Sequence, residues 1–77
     1  MEQIKIVLKS VFEGFNDDMF DEDLKLGDLP NWDSMNSVNL QIELESTFAV
    51  DLSEVIFQEE HRISDLLDIL RKAGIQI

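Results

Sequence analysis

Seventy-seven residues with 17 acids against six bases, a formal net charge of −11, make one small acidic domain spanning residues 1–77. That charge repels nucleic-acid phosphates and anionic lipid headgroups, which argues against both as partners, and it attracts basic patches on other proteins. The lack of cysteine excludes disulfides and thiolate zinc sites, and no apolar run approaches the roughly 20 residues that span a bilayer.

The first 15 residues mix acids with bases and hold no small-residue cleavage site, so they do not read as a secretory signal, and the cytoplasm is the expected location. They read instead as an amphipathic helix. Ile4, Val7, Leu8, Val11, Phe12 and Phe15 follow the i, i+3, i+4 spacing, Lys5, Lys9 and Glu13 fall on the other side, and Gly14 weakens the final turn. Residues 16–31 are rich in Asp, Asn and Gly and hold the single proline, Pro30, which predicts a long loop. Phe20, Leu24, Leu26 and Leu29 interrupt its polarity and predict that it lies on a core.

From Val38 to Leu44 apolar and polar residues alternate, the period of a half-buried strand. Three features favour a helix. The flanking segments are helical, and an isolated strand has no partner for its backbone groups. Asp33 and Ser34 supply an N-terminal cap. The rows Val38, Ile42 and Leu40, Leu44, Phe48 are each spaced i, i+4, which predicts a helix wedged between others with both rows buried. Residues 49–62 leave room for one or two short helical turns, with Ser53 as a capping residue. Ser64 reads as the N-cap of a last helix, with Asp65 in its first turn, Arg71 and Lys72 in its last, and Gly74 ending it. Ile63, Leu66, Leu67 and Leu70 would face inward.

Catalytic chemistry finds little support. Ser34 has no evident general base, and the only histidine, His61, lies in a charged run and reads as a surface residue. An EF-hand frame begun at Asp17 or at Asp21 lacks the required glycine and glutamate, so no metal site is expected. Ser34 itself has two readings. It is a second capping residue beside Asp33, or its hydroxyl is an attachment point, since the free N–H groups and dipole of a helix N-terminus favour a phosphate linked there.

The stretch DSMNSVNLQIELESTFAVDLSEV resembles the acyl carrier protein family. Asp33, Ser34, Met35, Val38, Leu40, Leu44 and Phe48 fall on that family's positions without a gap, and the resemblance extends through Ile63 and Leu66. It implies an all-α fold, a small antiparallel four-helix bundle with a long loop between helices 1 and 2 and a short third helix. It implies that Ser34, flanked by Asp33 and Met35, is where a phosphopantetheinyl transferase attaches 4′-phosphopantetheine. The arm's thiol would then carry an acyl or aminoacyl group as a thioester between loading and transferring enzymes with basic docking patches. The protein would be no enzyme itself and would act as a monomer. Asn36, Asn39, Glu45 and Glu59 become the candidate partner contacts. Among the family's acidic docking positions on the second helix only Glu45 keeps a charge here, and Trp32 precedes the Asp-Ser pair. Both point to a specialised carrier rather than a housekeeping fatty-acid one. The alternatives are an unmodified carrier-like helical subunit acting as an acidic interaction module and, more remotely, a small calcium-binding module.

Overall fold

The computed structural model describes residues 2–76. It contains three α-helices, α1 (Glu2–Val11), α2 (Ser34–Phe48) and α3 (Ile63–Lys72), and two single 3₁₀ turns at Asp17–Met19 and Leu26–Asp28. Among the described residues there is no strand, only one isolated antiparallel bridge between Lys25 and Arg62. The all-helical class predicted from the sequence is therefore present.

One core unites the elements. Every fully buried side chain among the described residues is apolar. Helix α1 contributes Ile4, Val7 and Leu8, α2 contributes Leu40 and Leu44, and α3 contributes Ile63, Leu66, Leu67 and Leu70. The most extensive contact between two helices is that of α1 with α2. The first helix ends earlier than its apolar spacing predicts. Gly14 adopts φ +95°, a left-handed conformation that breaks the helical course, and the Phe15 N–H turns back to the Phe12 carbonyl at 3.0 Å. Phe12 and Phe15 stay buried all the same.

The long loop lies on the core as predicted. Leu26 and Leu29 are buried, and Met19, Phe20 and Leu24 pack against the core. Lys5 Nζ sits 5.3 Å from the centre of the Phe20 ring, a cation–π contact that ties the loop to α1. The loop's far half is stitched to residues 59–64. The Leu26 N–H donates to the His61 carbonyl (2.7 Å), and the Gly27 N–H to the Glu59 carbonyl (3.0 Å). Gly27 allows this approach, because a β-carbon there would stand 2.7 Å from Glu59 Cβ.

One expectation needs correction. Ser64 is not the N-cap of the last helix. The helix begins at Ile63, with Arg62 as the capping residue, and the Ile63 and Ser64 N–H groups donate to the Leu24 and Glu22 carbonyls at 2.9 Å each. Loop carbonyls distant in sequence thus satisfy the first two amides of the helix. Asp65 does act in the first turn, accepting the Arg62 N–H at 2.9 Å. Three α-helices form among the described residues, and no short helix lies between α2 and α3. Residues 49–62 form turns and irregular backbone. Their polar backbone is occupied elsewhere: the Leu52 N–H donates to the Glu45 carboxylate (2.8 Å), and the Leu52 carbonyl accepts from the Gln41 side chain. Leu52 and Phe57 still reach the core.

Candidate functional site

The predicted helix over the alternating stretch forms, and its cap explains how. Asp33, in extended conformation, accepts the Asn36 N–H on Oδ1 at 2.7 Å, and its carbonyl accepts the Ser37 N–H at 3.0 Å. Ser34 is thereby the first residue of α2. It is exposed, and its hydroxyl has no hydrogen-bond partner among the described residues. The N–H groups of Ser34 and Met35 have no acceptor in the protein either, as geometry dictates for the opening of a helix.

Ser34 stands at the edge of a shallow depression. Trp32, Asp33 and Ser37 form one side and residues 56–60 the other. The lining includes three carboxylates, Asp33, Glu59 and Glu60, and no basic side chain. Two forces therefore oppose each other. Free amides and the helix dipole attract an anion, whereas the carboxylates repel one. A free phosphate would gain little here. A phosphate held by an ester bond to Ser34 Oγ would still meet the two open amides. The residues present fit an attached phosphodiester better than a diffusible anion.

Both apolar rows of α2 exist, but only one is buried. Leu40 and Leu44 are 0% exposed, whereas Met35, Val38 and Ile42 are 72%, 50% and 54% exposed. The expectation that both rows pack inside is thus corrected. The outer row runs away from Ser34 along the opposite face of the helix. Ile56, 72% exposed, adds an apolar residue on the far wall of the depression.

The other singled-out residues separate. Asn39 is exposed on α2 and donates to Asn36 Oδ1 at 3.1 Å. Asn36 also donates to the Asn31 carbonyl at 2.8 Å, so its side chain is engaged on both ends. Glu45 is half-buried and binds the Leu52 N–H. Glu59 is exposed and lines the Ser34 depression. His61 does not line it. Its Nδ1 accepts the Gln58 N–H at 2.9 Å, so it shapes a turn and offers no base to Ser34. Among the described residues no group of acids or histidine is placed to hold a metal ion, and no helix is long and apolar enough to cross a membrane. The sequence left Ile56, Phe57, Gln58 and Glu60 unassigned; with Glu59 they line the Ser34 depression because the fold brings residues 56–60 against the start of α2, and no local signal marks them.

The class defined by this fold and site is a small acidic helical domain that presents an unpartnered serine at a helix tip. Comparison with protein families, with curated proteins and with solved structures yields no match for the chain.

Proposed function

We propose that the protein is a carrier of the acyl carrier type, modified on Ser34 with 4′-phosphopantetheine. The single observation that carries this reading is the exposed, unpartnered Ser34 hydroxyl beside two open amides at the start of α2. Asp33 holds the turn from which the hydroxyl projects, and Met35 begins the apolar row beside it. The absence of a neighbouring histidine fits a serine that a separate transferase activates. When bound, the arm supplies a thiol for thioester chemistry that a chain without cysteine lacks. The protein then acts as a cytoplasmic monomer and not as an enzyme, handing an acyl or aminoacyl cargo between partners. In the four-helix layout of that family, the turns of residues 49–62 are the counterpart of the short third helix.

Partners approach along α2, next to the arm. Of the four candidate contacts, Glu45 gives its carboxylate to a backbone amide and Asn36 is engaged within the chain. The exposed row Met35, Val38 and Ile42 is the larger free surface. Docking is therefore chiefly apolar, with basic residues on the partner's rim meeting Asp33, Glu59 and Glu60. This favours dedicated partners over enzymes that read an acidic second helix. The same row supports a second reading, an unmodified interaction module that docks through α2 alone.

Intact-mass spectrometry decides between the two. The chain is incubated with coenzyme A and a broad-specificity phosphopantetheinyl transferase. The carrier reading requires the mass of one added phosphopantetheine on the wild type and none on Ser34→Ala. A wild type that gains nothing leaves the interaction module.

A further inference from the structure

Between the end of α1 at Val11 and the start of α2 at Ser34 the chain makes no α-helix. The position of the Ser34 hydroxyl thus depends on what secures the end of this long loop. Several contacts converge there. Pro30 lies against Gly14, where an added β-carbon would stand 3.4 Å from Pro30 Cβ. Trp32 stacks on Phe12 with centroids 5.8 Å apart and planes 19° from parallel. Between them sits Asn31, at φ +62°.

Asn31 is bonded in both directions. Its side-chain amide donates to the Glu13 carbonyl, in the turn leaving α1, at 2.6 Å. Its own carbonyl accepts the Asn36 side-chain amide, from the first turns of α2, at 2.8 Å. Asn36 is completed by Asn39, which donates to its Oδ1. The two bonds act in series: Glu13 to Asn31, Asn31 to Asn36. Few residues suit the middle of such a link. The left-handed conformation favours glycine, asparagine and aspartate, and of these only asparagine offers a side-chain donor.

We infer that Asn31 and Asn36 are positioning residues, a two-bond tie from the turn after α1 to α2 that holds the Ser34 turn in place for modification. The tie itself is a feature of the fold; its consequence for modification rests on the carrier reading. The assignment also separates Asn36 from the docking contacts, since its amide faces the chain's own backbone.

Asn31→Gly isolates the side-chain bond, because glycine accepts φ +62° without strain. Asn31→Asp sets a carboxylate against the Glu13 carbonyl and is the harsher change. Asn36→Ala removes the second bond. Two measurements are made on the full chain. The first is amide hydrogen exchange at Asn36 and Ser37, referenced to Leu67 and Leu70 in α3. Exchange at the α2 pair rises about tenfold in Asn31→Gly and in Asn36→Ala, while α3 is unchanged. Because the bonds are in series, the double variant exchanges no more than about twofold faster than either single variant. The second is the kinetics of phosphopantetheine transfer. A positioning role lowers kcat about five- to tenfold and leaves KM unchanged, with Asn31→Asp the slowest.

A docking role for Asn36 would raise KM and leave kcat and exchange alone, and that result overturns the inference. So does unchanged exchange at Asn36 and Ser37 in both single variants. A wild type that accepts no group defeats the carrier reading instead, and the exchange data still decide whether the tie exists.

Discussion

At the scale of single residues, short polar contacts set the local geometry. Asp33 and Asp51 are alike: each accepts a backbone N–H a few residues on, Asn36 at 2.7 Å and Ser53 at 2.9 Å. The Ser53 N–H, then its hydroxyl, holds the Asp51 carboxyl below the usual carboxylate range. The Lys9 ammonium, 2.8 Å from Asp17, does the same for Asp17, and Asp17 in turn raises Lys9. A carboxyl whose folded-state pKa is depressed contributes stability above its unfolded pKa of about 3.9 and loses it as pH falls through the folded value. Lys9 works at the other end, its share disappearing only as pH rises through its own elevated pKa. The decline assigned to the two acids therefore lies below about pH 4. Urea unfolding between pH 5 and pH 2 should show a shallower loss in Asp51→Asn than in wild type. Parallel curves would mean that the Ser53 contact is equally formed in the unfolded chain.

At the scale of elements, α2 carries two apolar rows of which only one reaches the core. The alternation that suggests a strand arises because the rows lie on nearly opposite sides of the helix, Leu40 and Leu44 inward, Met35, Val38 and Ile42 outward. Periodicity marks such rows without saying which is covered. A helix wedged among several neighbours would hide both, and here the outer row stays bare. The energetic contrast should be plain. Leu40→Ala removes a fully buried side chain and should cost about 2–5 kcal/mol. Ile42→Ala should cost under about 1 kcal/mol. Urea denaturation of both variants checks this, and equal costs would show that the outer row is buried in solution. The start of α3 teaches the same lesson, since the Leu24 and Glu22 carbonyls, distant in sequence, accept its first two amides and Ser64 lies inside the helix.

At the scale of the whole molecule, a net charge of −11 sits on a body of 28 × 23 × 20 Å. Near 0.01 M salt the Debye length is about 30 Å, so every charge senses every other; at 0.15 M it is about 8 Å and most pairs are screened. The ion pairs Lys9–Asp17 and Arg71–Asp68 are both exposed, and acids outnumber bases 17 to six. Repulsion therefore dominates and opposes the compact state. Raising salt from about 0.01 M to 0.15 M should lift Tm by about 5 °C or more, the equivalent of roughly 1 kcal/mol for a domain of this size. Calorimetry at the two concentrations tests it; an unchanged Tm would show that the acids are too far apart to interact.

Taken alone, the amino-acid sequence determined whatever depends on neighbours along the chain. The Asp33 cap, Ser34 at the first position of a helix, the amphipathic faces of α1 and α3, and a long loop with apolar anchors were all legible, because capping and periodicity act over three or four residues. Tertiary structure alone decided which row of α2 is buried, that residues 49–62 make turns, and that Asn31 bridges Glu13 to Asn36 across the ends of the loop. Those outcomes turn on which distant carbonyl or side chain arrives to satisfy a backbone group, and spacing along the chain carries no information about that.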